Sequence, residues 1–248
     1  MRNIESYESV YQKDFCEQIQ VRLRKKQSIA LIQKYSHQRI LEIGCGNSPL
    51  FADFSDFSEM TIVEPSSQFM GHARELAKKK EMTNVFLVLG TLEENVTLLS
   101  EKSYDYIILS SLLHEVENPE QLLYAVLQLC SAETVVHINV PNAMSIHRIL
   151  AKEMGIIKDV HEVSDQGKNL QQHSVFDMQS LWKMAEKCGF SVLEHGSYIP
   201  KFLSSSQMEQ MLHYEIIDER FFDALNNLSD LMPEYGSEIY IQVKRSFL

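Results

Sequence analysis

The chain has 248 residues, 44% of them hydrophobic and 23% charged, enough to bury a sizeable core and too apolar for a disordered or collagen-like protein. With 23 Lys and Arg against 34 Asp and Glu the formal net charge is −11, which argues against binding driven by diffuse attraction to nucleic-acid phosphates or anionic lipid. The four cysteines, at 16, 45, 130 and 188, are too scattered for a zinc site or a disulfide framework, and no apolar run reaches the roughly 20 residues of a membrane helix. A cytoplasmic protein, without metal dependence, is expected.

Apolar residues at three-to-four spacing over 5–36 predict one long or two short amphipathic helices. The texture then changes. Arg39–Ile43 reads as a strand running into Gly44-Cys45-Gly46, and Met60–Val63 as a second strand ending at Glu64-Pro65. Ser66 suits the cap of a helix reaching about Lys80, whose lysines suit the negative helix end. Further strands are expected at Val85–Leu89, Tyr104–Leu109 and Thr134–Val140, with a helix from Pro119 to about Cys130. A late helix, Phe176–Cys188, ends at Gly189 before strands at Phe190–Tyr198 and about Glu238–Val243. Strands that are apolar throughout, alternating with helices, indicate a parallel sheet covered on both faces, hence a doubly wound α/β fold. One domain is expected: a helical cap over 1–36, a ligand-binding core over 37–140, and helical insertions at 141–175 and 200–236.

The glycines of Gly44-Cys45-Gly46 suit a strand-to-helix turn where a ligand presses on the backbone. The third glycine of a dinucleotide fingerprint is absent, Pro49 standing in its place, which disfavours a pyrophosphate. Glu64, twenty residues after Gly44, either accepts hydrogen bonds from ribose hydroxyls or is a solvated loop carboxylate. A nicotinamide dinucleotide and S-adenosylmethionine both carry such a ribose.

Four ordered stretches separate them. Glu42-x-Gly44-x-Gly46, Glu64-Pro65-Ser66, Gly90-Thr91-Leu92-Glu93 and Tyr104–Ser110 resemble the motifs of class I S-adenosylmethionine-dependent methyltransferases over about 37–140. The resemblance implies a Rossmann-like, mostly parallel seven-stranded sheet. It also implies S-adenosyl-L-methionine as cofactor, S-adenosyl-L-homocysteine (SAH) as product, and a small-molecule methyl acceptor. Gly44 and Gly46 then lie under the methionine and ribose, Glu42 shapes that pocket, and Glu64, followed by Pro65, takes the ribose hydroxyls. Thr91 and Leu92 sit beside the adenine and Ser110 near the methionine end. Leu92-Glu93 departs from the family's acidic-then-small pair, leaving the adenine-amine contact to either residue.

The stretch Val140-Pro141-Asn142-Ala143, then Ser145, His147-Arg148, His173 and Val175-Phe176, resembles bacterial small-molecule methyltransferases of glycan and secondary-metabolite pathways. His114, in the loop bordering the transferable methyl, is the candidate base, oriented by Glu115; otherwise it shapes the pocket through a backbone bond. His173 is a second candidate, as a substrate contact. Arg148 either holds an anionic substrate or is solvated. Tyr7 and Tyr11 share a helix face and either reach the cofactor carboxylate or pack. Cys45 reads as a small filler. The rivals are a cofactor-binding scaffold without activity, a nicotinamide-dependent reductase and a protein methyltransferase; a monomer and a homodimer are both compatible with the sequence.

Overall fold

The computed structural model describes residues 15–164, 167–168 and 171–246, the side chains of 15–17 excepted. Tyr7 and Tyr11 therefore lie outside the described residues. Seven strands form one sheet: β1 (Arg39–Ile43), β2 (Glu59–Glu64), β3 (Val85–Leu89), β4 (Tyr106–Ser110), β5 (Val135–Pro141), β6 (Phe190–Tyr198) and β7 (Glu238–Arg245). Their order is β3-β2-β1-β4-β5-β7-β6, and β7 alone runs antiparallel to its neighbours. The doubly wound, mostly parallel α/β fold is thus the observed one.

Helices α1 (Phe15–Ile32), α2 (Ser67–Lys79), α3 (Leu92–Leu99), α4 (Pro119–Leu129), α5 (Ile146–Glu153), α6 (Met178–Lys187), α7 (Ser205–His213) and α8 (Glu219–Asn227) surround the sheet. Local chemistry sets their starts. Ser66 Oγ accepts from the Phe69 N–H, and Asn118 caps α4 one residue before Pro119. The expected late helix begins at Met178 rather than Phe176. Asp177 and Ser180 form a capping box there, while Phe176 bridges to Asn142 and is buried.

One buried cluster joins β1, β4, β5 and β7 to α4 and α6, and a second, rich in Phe51, Phe54 and Phe57, fills the opposite face. Each such fully buried side chain contributes roughly 1.5–3 kcal/mol. The exception to coverage is β3, where Phe86 is 43% and Leu89 56% exposed. This strand is the sheet edge, and Lys102 lies 3.7 Å over the Phe86 ring. A third cluster packs Ile19, Leu23 and Leu31 of α1 against Met208 of α7 and Phe222 and Leu225 of α8. The first helix and the late insertion thereby form one roof beside the carboxyl ends of the parallel strands. Among the described residues no helix is long and apolar enough to cross a membrane.

Candidate functional site

The sheet order reverses between β1 and β4, and a cavity of about 250 Å³ opens there. Such a crevice is where open α/β sheets take ligands. Its floor begins at the end of β1. Gly44 has φ +74° and Gly46 φ +52°, both left-handed, and the Gly44 N–H donates to Val63 O at 2.9 Å. A Cβ on Gly44 would meet Leu112 Cδ2 at 3.3 Å, whereas one on Gly46 would meet nothing within 4 Å. Gly46→Ala therefore pays for left-handed backbone alone, about 1–2 kcal/mol, and Gly44→Ala costs more because Leu112 must also move. Urea unfolding of both variants checks that ranking.

No α-helix follows the turn, contrary to expectation. After Pro49 there is one 3-10 turn, Leu50–Ala52, because Leu50 and Phe51 plunge into the core. The Leu50 N–H points back at Glu42, whose two carboxylate oxygens lie 3.1 and 3.0 Å away. Lys25 of α1 ties down the same turn through Ser48 Oγ (2.6 Å), Pro49 O (3.2 Å) and Asp53 (2.8 Å).

Burial pushes the Glu42 carboxyl up from the usual 4.5 to about 7, against the opposing pull of the Leu50 N–H and Lys25. Between these values the unfolded chain has lost a proton that the native state keeps. Stability attributable to this group therefore falls as pH rises from 4.5 to 7, by roughly 3 kcal/mol in total, and is level above 7. Glu42→Gln should flatten that part of the pH profile of urea unfolding; an unchanged slope would refute the assignment.

Glu64, at the end of β2, is only 5% exposed. Its Oε2 accepts from the Gly46 N–H at 3.1 Å and its Oε1 from the Ser66 N–H at 2.8 Å. One carboxylate thus links the glycine turn to the cap of α2. Pro65 lines the cavity beside it, and Ser110 lines the wall at the end of β4. Thr91 and Leu92 are outside the lining. Thr91 caps α3 in a capping box and Leu92 is core, although the Gly90 N–H donates to Glu64 O at 3.1 Å. Cys45, Cys130 and Cys188 are buried free thiols, and burial raises the Cys45 thiol far above its usual range, as suits a filler.

The loop after β4 is bent by Ser111, a non-glycine residue at φ +55°. It carries His114 and Glu115 into the cavity wall, 2% and 7% exposed, with Nε2 and Oε1 3.9 Å apart. The His114 carbonyl accepts from the N–H groups of His173 (2.9 Å) and Ser174 (3.2 Å). The two histidines therefore meet through backbone; the His173 side chain is exposed and does not line the cavity.

The opposite end of the cavity was largely invisible in the sequence. Gln20 and Arg24 reach it from α1, His147 and Arg148 from α5, Lys201 and Ser205 from the start of the α7 segment, and Glu238 from β7. Glu238 accepts from Arg24 Nε at 2.8 Å, Asn139 Nδ2 at 2.9 Å and the Tyr198 hydroxyl at 3.0 Å. The Arg148 guanidinium donates to the carbonyls of Val160 and Glu162, so it holds the inserted loop instead of standing in solvent. His161 joins that loop to the α6 cap at Asp177 (3.0 Å). Only His147-Arg148 had a local signal; the other groups converge across 180 or more positions. Among the described residues no cluster of His, Cys, Asp and Glu could hold a metal ion.

A family model described as a methyltransferase domain matches residues 12–195, well over half of the chain. No curated protein matches the sequence. In fold the chain is similar to the plantazolicin methyltransferase BamL, crystallised with a triazolic desmethylPZN analog and SAH, at 13% identity and TM-score 0.57 over 98% of both chains. It is similar to the cyclase SpnF at 12% identity and TM-score 0.60, over 90% of this chain and 81% of that one. The N-methyltransferase NodS from Bradyrhizobium japonicum WM9 aligns at 9% identity and TM-score 0.55, over 91% and 96%.

Proposed function

The chain belongs to the methyltransferase-domain family, and from that premise we propose that it transfers a methyl group from S-adenosylmethionine to an oxygen or nitrogen of a small molecule. The observation that carries the cofactor is the Glu64 carboxylate, buried on the cavity wall and locked to the Gly46 N–H across the open glycine turn. That arrangement fits the group: the glycines remove side chains from the floor, and a fixed carboxylate suits a pair of vicinal hydroxyls. When bound, the cofactor supplies an electrophilic methyl on a positively charged sulfur.

The chain's residues act around it. Gly44, Gly46, Glu64 and Pro65 hold the ribose, Glu42 braces the turn through Leu50, and Ser110 borders the methionine end. Thr91 and Leu92, at the start of α3, are assigned the adenine side because Gly90 is bonded to the Glu64 backbone. His114 takes the proton that leaves the attacking O–H or N–H, and the Glu115 carboxylate, 3.9 Å away, stabilises the resulting imidazolium. The segments 141–175 and 200–236, held by Arg148 and by the α1–α7–α8 cluster, exclude water from the acceptor side. His173, whose backbone supports His114, is assigned to the rim where the acceptor enters.

Calorimetric titration with S-adenosylmethionine, SAH and NADH tests the reading. Binding of the two adenosyl ligands and not of NADH is expected; binding of NADH alone refutes it. On any acceptor found, His114→Gln should lower kcat by about a hundredfold or more while leaving SAH affinity within threefold.

A further inference from the structure

Charges on the cavity wall offset one another. Among the described lining residues four Lys and Arg face four Glu, and Lys25 stands at the glycine turn near Glu42 and Glu64. Each of these cations is already engaged: Arg24 by Glu238, Lys25 by Ser48 and Asp53, Arg148 by the Val160 and Glu162 carbonyls, and Lys201 by Gln20 and Ser205. A charged acceptor would have to break into one of these bonds. The groups left over are neutral. His147 Nδ1 and Ser237 Oγ are buried on the wall with no hydrogen-bond partner among the described residues. Resting on the methyltransferase reading, we propose that the methyl acceptor is an uncharged, hydroxyl-bearing molecule and that His147 and Ser237 hold one of its hydroxyls.

Backbone bonds bring the two segments together. The Ile146 N–H donates to the Tyr235 carbonyl at 3.3 Å and the Asn142 N–H to the Ser237 carbonyl at 2.9 Å, so the start of α5 lies along the entry to β7. The Ser237 N–H in turn donates to the Ile199 carbonyl at 2.9 Å, which fixes the serine at the end of β6. Buried polar atoms without a partner are rare in native proteins, and two on one cavity wall mark where the polar atoms of a ligand belong. A hydroxyl both donates and accepts, so one such group serves the imidazole nitrogen and the serine oxygen at once. The imidazole is neutral at any working pH, because burial, then Lys201 and Arg148, push it from 6.5 down to about 2. It therefore offers no charge to an acid and takes no proton from the acceptor, which leaves the base role to His114. His147 and Ser237 choose the acceptor by its hydroxyl instead.

The test uses SAH complexes of ¹⁵N-labelled wild type, His147→Phe and Ser237→Ala. Each is titrated with catechol and methyl glucoside, and with toluene, benzoate and benzylammonium as controls, while the ring-nitrogen resonances of the histidines are followed by NMR. We expect catechol or the glucoside to bind the wild-type complex at least about tenfold tighter than every control and to move the His147 resonances. Each variant should lose that margin while keeping SAH affinity within about threefold of wild type. Ser237→Ala removes a single hydroxyl, so it decides the matter if His147→Phe does not fold. Hydroxyl probes that bind no better than a control, or that leave the His147 resonances unmoved, overturn the proposal. So does a Ser237→Ala protein that keeps the margin. Variants that lose more than about threefold in SAH affinity overturn it as well, because the pair then belongs to the cofactor. Failure of the wild type to bind SAH at all would instead bring down the cofactor assignment on which the proposal stands, and the same titrations of the unliganded protein then judge the hydroxyl site by itself.

Discussion

Replacing Glu64 by alanine lowers the affinity for S-adenosylmethionine and SAH by about a hundredfold or more. Two hydroxyls donating to a buried carboxylate contribute about 1.5–3 kcal/mol each, and the variant loses both. It loses more than ligand contacts. Glu64 Oε2 and Oε1 are also the acceptors for the Gly46 and Ser66 N–H groups, so the glycine turn and the α2 cap come apart at the same point. Unfolding free energy should drop by about 2 kcal/mol as two backbone donors lose their charged acceptor. Glu64→Gln separates the effects. Its remaining oxygen still serves one backbone donor, but its amide nitrogen faces the other, so folding is partly kept while affinity still falls. Calorimetry and urea unfolding on the same samples read both quantities. Binding by Glu64→Ala within threefold of wild type would remove Glu64 from the cofactor site.

The part of this site carried by consecutive residues could be read from the chain. A strand must run into Gly44-Cys45-Gly46, and the next strand must end on a carboxylate, so Glu64 reaches the turn by the register of β1 and β2 alone. What escaped reading depends on tertiary company. Pro49 stands where a dinucleotide fingerprint has its third glycine, yet it opens a 3-10 turn because Leu50 and Phe51 find the core first. Strand β3 is as apolar as its neighbours and lies half-exposed, since nothing in its own residues says that it is an edge. His173 follows the cavity-lining Gln172, but its backbone is what reaches His114 while its side chain is exposed. Lys201 and Gln20, 181 positions apart, had no local signature at all.

The same distance problem hides a buried ion pair that holds the roof. Arg24 on α1 pairs with Glu238 on β7, 214 positions away, through Nε and Nη2, and both side chains are almost fully buried. Arg24→Met strips the charge from one side and leaves a carboxylate 3% exposed among Asn139, Tyr198 and apolar neighbours. Removing one partner of a buried pair costs about 3–5 kcal/mol, and in a chain of this length that lowers the melting temperature by roughly 10 °C or more. Arg24→Met combined with Glu238→Gln removes both charges and should recover most of the loss. If Arg24→Met alone costs less than about 1 kcal/mol, the apolar contacts of Ile19, Leu23 and Leu31 hold α1 without help. The ion pair would then serve to fix Glu238 against Asn139 and Tyr198 in the cavity wall, not to hold the helix.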